Sequence, residues 1–192
     1  MSPAPARTSR AAIIGAGREL LEERGLEGVT MATVAERVGV RAPSLYKHVA
    51  DRRALVTAII VDAADELEGV IRAATPAPPA DPAAVVRAIA DAYRGFAHRA
   101  PRAVSLLFLD LGPDAGPPHE DLARAAEPVL SVAATLAGEA HALPAARVLT
   151  AFVHGFTSME SANAFRLGGH VDEAWRLGLD ALVIGLARNG SA

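Results

Sequence analysis

The sequence predicts an all-α protein: an N-terminal group of short helices, a proline-rich linker and a C-terminal helical bundle. Alanine, the best helix former, supplies 43 of the 192 residues, whereas the aromatic residues that favour strands make up only 4%. Apolar residues recur at helical spacing, and prolines and glycines fall where these periodic segments begin and end. An all-β fold is therefore excluded.

The composition also excludes several kinds of site. The chain has no cysteine, so it can form no disulfide framework, thiolate zinc site or iron–sulfur cluster, and it has no cysteine nucleophile. The N-terminus lacks the apolar core of a signal peptide, and no stretch approaches the roughly 20 apolar residues of a membrane span. We expect a cytoplasmic protein with no membrane partner.

The net charge of -3 is unevenly distributed along the chain. Residues 1–60 carry nine basic and six acidic side chains, a net of +3, whereas residues 61–192 carry ten basic and sixteen acidic ones, a net of -6. The first third of the chain is therefore the part suited to a polyanion.

Four helices are predicted before the linker. Thr8, Thr30 and Asp51 are the expected N-caps of three of them, and Gly25 and Gly39 are the expected stops. The helices cover residues 8–24, 31–38, 42–49 and 52–73.

The linker spans residues 74–81, where three prolines prevent a helix from continuing. Further helices are predicted over residues 82–99, 101–111, 119–140, 144–167 and 171–188, with a loop over 112–118. This organisation divides the chain into an N-terminal domain over 8–52, a connecting helix over 52–73 and a C-terminal domain over 74–192.

Residues 30–49 have the pattern of a helix-turn-helix, with two short helices joined by a tight turn that contains Gly39. In the second helix Ala42, Leu45 and Val49 face inward. The remaining side chains point outward and can hydrogen-bond to base edges or phosphates. They are Pro43, Ser44, Tyr46, Lys47 and His48.

The run from Gly28 to Leu55 closely resembles the DNA-binding domain of the TetR (tetracycline-repressor) family. The resemblance rests on Val34-Ala35, Gly39-Val40, Ser44-Leu45-Tyr46, His48 and Arg53-Ala54-Leu55 taken together. It is strong over residues 8–60, and it implies a helix-turn-helix that binds duplex operator DNA.

The resemblance also implies a role for individual residues. It places Ala42, Pro43, Ser44, Lys47 and His48 in the major groove, and it makes Tyr46 and Arg52 phosphate contacts; Thr30, the N-cap of the motif, completes the set. Two positions depart from the family's pattern. Ala42 lacks a hydrogen-bonding side chain where some relatives have a polar residue, and Arg41 replaces the more frequent Ser or Thr.

The last two predicted helices resemble those with which many members of the family form a four-helix bundle between two subunits. Independently of that likeness, an apolar stripe at helical spacing runs along the last helix, and we expect it to mediate a homodimer. Ordinary core packing is the alternative explanation. The stripe consists of Trp175, Leu179, Leu182 and Leu186.

Apolar and polar residues of the C-terminal domain are candidates for a ligand pocket between helices, although core packing explains the same residues equally well. They are Tyr93, Phe96, Phe108, Phe152, Phe156, Met159, Glu160 and Asn163.

No pattern of a metal site, a cofactor site or a catalytic site is present in the sequence. The Gly15-x-Gly17 pair lacks the third glycine and the strands of a dinucleotide fold, and His154 and Glu160 lie on different helix faces.

The sequence is therefore interpreted as a homodimeric, ligand-responsive DNA-binding transcriptional regulator. We expect a repressor released from its operator by a small-molecule effector, without catalytic activity or cofactor. The alternative is a helical small-molecule binding or carrier protein that does not bind DNA.

Overall fold

The computed structural model describes residues 9–75, 81–109, 112 and 119–189, and every regular element within them is a helix. The α-helices are α1 (Arg10–Arg24), α2 (Met31–Arg37), α3 (Arg52–Ala74), α4 (Pro82–Arg99), α5 (Pro101–Leu107), α6 (His119–Ala137), α7 (Ala142–Ser161) and α8 (Val171–Asn189). Short 3₁₀ helices cover Leu26–Gly28, Ala42–Lys47 and Glu139–His141.

The chain divides into two compact units. The first comprises residues 1–65 and 102–122, and the second comprises residues 66–101 and 123–192. Helix α5 therefore packs with the first unit, although the predicted domain boundary at the linker assigned it to the C-terminal domain. A hydrogen-bonded joint explains this: the Glu22 carboxylate accepts from the main-chain N–H groups of Arg102 and Ala103 at 3.2 and 2.7 Å.

The first unit is organised around α1. Ser9, rather than Thr8, is the N-cap of α1, since its Oγ accepts from the Ala12 N–H at 3.1 Å; Thr8 lies outside the described residues. A Cβ added at Gly17 would stand 2.6 Å from Cδ1 of Ile59. The glycine pair that imitates a dinucleotide motif is thus helical, and Gly17 allows α1 to approach α3 closely.

The second unit has a core built from α3, α4, α6, α7 and α8. Its buried members are Ile71, Val86, Ile89, Val132, Leu149 and Val183. The buried residues of a second cluster are all alanines, which allow α6 and α7 to pack closely. These are Ala133, Ala137, Ala145 and Ala146.

Several predicted helices end earlier than their sequence pattern indicated. Helix α7 stops at Ser161 instead of continuing to residue 167. The cause is a left-handed residue, Asn163, with φ 50°. Its N–H bonds to the Glu160 carbonyl at 2.9 Å and the next N–H reaches back to Met159 at 2.9 Å, the arrangement that terminates helices after a C-cap.

The other differences are smaller. Helix α6 ends at Ala137, and the residues predicted to continue it form the 3₁₀ turn Glu139–His141. Helix α5 ends at Leu107 instead of residue 111. Residues 113–118 of the predicted loop over 112–118, and residues 76–80 of the predicted linker, lie outside the described residues.

Candidate nucleic-acid interface

The helix-turn-helix begins at a reciprocal capping box around Thr30. The Thr30 hydroxyl accepts from the Thr33 N–H at 3.1 Å, and the Thr33 hydroxyl accepts from the Thr30 N–H at 3.0 Å. These bonds satisfy main-chain donors that the first turn of a helix leaves unpaired. The predicted N-cap is confirmed, and the cap fixes where α2 begins.

Gly39 makes the turn of the motif. Its φ of 72° lies in the left-handed region, which residues with a Cβ rarely adopt. The N–H of Val40 bonds to the Ala35 carbonyl at 2.9 Å, so the chain reverses directly after α2. Both Val34 and Ala35 are buried at this crossing.

The second helix of the motif is a 3₁₀ helix over Ala42–Lys47, whereas the sequence predicted an ordinary helical segment over 42–49. Pro43 in its first turn lacks an N–H, and the N–H of His48 bonds to the Leu45 carbonyl three residues back, at 2.8 Å. With three residues per turn, side chains three apart share a face. Leu45 is fully buried and His48 beside it is half-buried.

The outward side of this 3₁₀ helix carries Pro43, Tyr46 and Lys47, which we call the exposed face. Tyr46 is 55% exposed, and Pro43 and Lys47 are also exposed. A phenol and an ammonium on one short helix can donate hydrogen bonds to phosphates and base edges. Two other predicted contacts, Ala42 and Ser44, are half-buried.

Arg52 is bound to main-chain atoms of its own chain. Its Nε donates to the Val29 carbonyl at 2.7 Å, and its Nη2 donates to the Leu26 carbonyl at 2.8 Å. The family resemblance implies that Arg52 contacts a phosphate, but two of its five N–H donors have these partners. A sequence pattern carries no signal for a side chain that binds carbonyl groups more than 20 residues away.

Arg37 forms a second set of long-range side-chain contacts, which the sequence did not predict. Its guanidinium makes two parallel bonds to the Glu23 carboxylate, at 2.9 and 2.6 Å, and a third bond to Glu19 at 2.9 Å. The bonds with Glu23 and Glu19 raise the pKa of Arg37, and the bond from Arg37 lowers the pKa of Glu23. Helix α2 is thereby held against α1.

In the second unit, two of the predicted pocket residues, Phe152 and Phe156, form a packed aromatic cluster. Phe156 lies 5.2 Å from Trp175 and 4.8 Å from Phe165, centroid to centroid, and Phe152 lies 5.6 Å from Trp175. Phe96 is fully buried. Aromatic pairs at these separations stabilise a core.

A partly buried polar pair joins α4 to α7. The Tyr93 hydroxyl stands 3.0 Å from Nδ1 of His154. Burial raises the pKa of Tyr93 and lowers the pKa of His154, so both side chains are neutral near pH 7.

Three of the predicted pocket residues differ from the rest. Met159 is exposed on α7, and Asn163 is the left-handed residue that ends this helix. Phe108 is exposed and belongs to the first unit, so it does not share the environment of the others.

Glu160 takes part in an ion-pair network that joins three helices. Arg94 of α4 contacts Glu160 of α7 at 2.5 Å and Asp172 of α8 at 2.7 Å, and its guanidinium carbon lies 5.0 Å from the Trp175 ring centre. Burial raises the pKa of Glu160, but the bonds and charges of Arg94 and His98 outweigh it, so that the pKa lies below its ordinary value.

The stripe predicted to form a dimer lies largely against its own chain. Trp175 and Leu179 are each 2% exposed, and the Trp175 indole donates to Asp91 at 2.8 Å. Leu182 and Leu186 pack against the core of the second unit. In the single chain Trp175 and Leu179 are therefore core residues, and their assignment to a dimer contact stays a prediction, because the helical period alone cannot tell which side of a bundle a stripe faces.

Other apolar side chains of α7 and α8 are exposed. The large ones are Leu143, Val148 and Met159 on α7 and Leu177 and Ile184 on α8. Leu177 and Ile184 are seven residues apart, and therefore lie on one side of α8, opposite Trp175.

A cleft of about 630 Å³ lies in the first unit. It is lined by residues of α1 and α3, among them Ile14, Ala54 and Ala58, together with Asp121, and by none of the predicted pocket residues. Within the described part of the chain, no three His, Asp or Glu side chains are grouped so as to hold a metal ion. None of the helices described has both the length and the apolar character needed to cross a bilayer.

Two family models match the chain. The model described as bacterial regulatory proteins, tetR family, matches residues 13–59, and the model of the tetracyclin repressor-like C-terminal domain matches residues 86–182. The first match contains the helix-turn-helix, and the second covers half of the chain.

Curated relatives agree with these matches. An uncharacterized HTH-type transcriptional regulator of Mycobacterium tuberculosis is 31% identical over 160 residues, which are 81% of this chain and 72% of that protein. The class D tetracycline repressor of Escherichia coli is 42% identical over 57 residues, 30% of this chain and 26% of the repressor. The chain thus matches only about a quarter of the length of that repressor.

Solved structures share the fold. A TetR variant from Acinetobacter baumannii in complex with minocycline has a TM-score of 0.72 at 24% identity, covering 96% of this chain and 99% of that one. A protein of unknown function from a Rhodococcus species has a TM-score of 0.80 at 23% identity, covering 96% and 100%. The chain belongs to the TetR family of bacterial regulatory proteins, and its helix-turn-helix lies in the segment that the family's N-terminal model matches.

Proposed function

We propose that this protein is a homodimeric cytoplasmic repressor, without catalytic activity, that binds a specific operator and leaves it when a small molecule binds. The domain over residues 8–52 binds DNA, the helix over 52–73 connects, and residues 74–192 hold the effector and the dimer contacts. The observation that carries this proposal is the exposed face of the 3₁₀ helix, because Tyr46 and Lys47 project outward from a buried Leu45 anchor.

The electrostatics of the chain favour this arrangement. The first 60 residues are net positive, whereas the rest of the chain is net negative. A duplex attracts the first part and repels the second, so the N-terminal domain approaches the DNA. Lys47 is the residue that we expect to read base edges, with Tyr46 on a phosphate.

A dimer explains how one short helix reads enough sequence. Two copies enter successive major grooves about 34 to 36 Å apart and read a pseudo-palindromic operator. We propose that the contact between subunits uses Leu177 and Ile184 of α8 with Val148 and Met159 of α7, which are exposed in the single chain. This face replaces the buried Trp175 and Leu179.

The effector is proposed to be a small apolar or amphipathic molecule that binds beside Phe152 and Phe156. A related repressor binds minocycline, which supports an effector of this general size. Because these rings pack on each other and on Trp175, a ligand must separate them, and it therefore favours a different conformer of the second unit. A conformer that moves the two N-terminal domains out of groove register has lower affinity for the operator.

The test begins with a duplex selected from a random library by repeated binding to the purified protein. We expect fluorescence anisotropy to show preference for the selected duplex over a scrambled one and a steep fall in affinity as salt rises. A small-molecule carrier would enrich no sequence. Failure to enrich any sequence would reject the proposed function.

A further inference from the structure

We propose that Arg52 is a positioning residue, which sets the helix-turn-helix in place for the operator by closing it at both ends, and is not a phosphate contact. This inference depends on the DNA-binding function proposed above. It differs from the role that family resemblance gives to this position.

The argument starts from which atoms Arg52 joins. Its Nε and Nη2 reach two different carbonyl groups, those of Val29 and Leu26, at 2.7 and 2.8 Å. Val29 is fully buried and immediately precedes Thr30, the cap residue of α2. The guanidinium therefore holds the main chain at the point where the motif begins.

The same arginine stands where the motif ends. Arg52 is the first residue of α3, and the 3₁₀ helix ends five residues earlier, at Lys47. Everything between Thr30 and Asp51, including the exposed face, is thus a segment whose two ends are tied together by one side chain. Asp51 holds the start of α3 from the other side, because its carboxylate accepts from the Ala54 N–H at 2.8 Å.

The geometry requires a forked side chain. The guanidinium is planar and directs its N–H groups along fixed, separate lines. A lysine at this position keeps the charge but has only one nitrogen, on a flexible stem, and cannot hold two carbonyl groups in the same relation. A lysine ammonium still binds a phosphate as a point charge, so the substitution would keep a phosphate contact. The two roles therefore predict opposite results for Arg52→Lys.

Specific and non-specific binding should also respond differently. Specific binding requires the exposed face to lie at a defined depth in the groove, whereas non-specific binding depends on charge near phosphates. Loosening the tie should lower affinity for the selected duplex about tenfold and leave affinity for a scrambled duplex unchanged. The dependence of affinity on salt should stay the same, since no phosphate contact is lost.

The experiment compares the full-length protein with Arg52→Lys and Arg52→Gln, using the selected duplex, a scrambled duplex and a series of salt concentrations. Arg87→Ala is the matched control, because Arg87 lies on α4 of the second unit and pairs there with Asp180 at 2.8 Å. Far-UV circular dichroism fixes a temperature at which all the proteins are fully helical.

We expect both Arg52 variants to lose about tenfold affinity for the selected duplex only, with an unchanged salt slope, and Arg87→Ala to match the parent protein. The inference is overturned if Arg52→Lys binds like the parent, if both duplexes are weakened together with a shallower salt slope, or if the two variants lose DNA binding only by losing helix. If the parent protein prefers no duplex, the proposed function itself fails, which is a separate result.

Discussion

Replacing Trp175 tests whether this side chain belongs to the core of its own chain or to the interface between subunits. As a core residue, its replacement should destabilise the chain without weakening the dimer. It is the single tryptophan of the sequence and is 2% exposed. Trp175→Ala removes a buried ring that packs on Phe152 and Phe156, and such changes cost about 3 to 5 kcal/mol.

The milder change Trp175→Phe keeps most of the ring contact and removes the hydrogen bond from the indole to Asp91. A bond to a charged acceptor contributes about 1.5 to 3 kcal/mol when it is buried. Asp91 is exposed and can bind water instead, so we expect the lower end of this range, a loss of about 1.5 kcal/mol.

The assay is urea unfolding followed by far-UV circular dichroism at one fixed protein concentration, together with sedimentation equilibrium for the dimer. Trp175→Phe should lower the free energy of unfolding while the dimer dissociation constant stays within about threefold, less than 1 kcal/mol. A dimer weakened tenfold or more by Trp175→Phe, with unfolding unchanged, would refute the assignment of this ring to the core.

Three further changes test other parts of the structure. Lys47→Ala should lower affinity for the selected duplex. If Lys47 neutralises a phosphate, the slope of log affinity against log salt becomes shallower by about 1, and if it reads a base, the preference at one base pair is relaxed. Anisotropy that shows neither change would contradict a DNA contact of Lys47. Ile184→Glu should place a charge in the proposed dimer face and shift sedimentation toward the monomer, whereas an unaltered dimer would move the interface elsewhere. The pKa of Glu160 lies below its ordinary value in the folded chain, so the ionised carboxylate stabilises the fold at neutral pH, and this stabilisation is lost as pH falls through the lowered pKa. Between pH 7 and pH 3 the urea midpoint should therefore decline less in Glu160→Gln than in the parent protein. Parallel declines would show that the pair with Arg94 does not stabilise the fold.

The helix-turn-helix was predictable from sequence because its signals are local. Thr30 is followed by Thr33 at capping distance, Gly39 falls where a left-handed residue is needed, and Leu45 lies in phase with a buried face. Each feature depends on residues close in the chain, and short-range chemistry of this kind leaves a pattern that can be recognised.

Contacts between residues that are far apart in the chain left no such pattern in the sequence. Arg52 could bind a phosphate or its own main chain, and only the fold brings the carbonyl of Val29 within reach. Trp175 could face a second subunit or its own core, since both produce the same helical period. The end of α7 was missed because Asn163, which is not a glycine, adopts the left-handed conformation.

The central claim is that two copies of the exposed face lie in successive major grooves of one operator. Methylation interference on the selected duplex tests it directly, since a methyl group on guanine N7 blocks the major groove. The account predicts two patches of interference, one helical turn apart, that both vanish with Lys47→Ala and Tyr46→Ala combined. Interference confined to the minor groove, or a single patch, would contradict it.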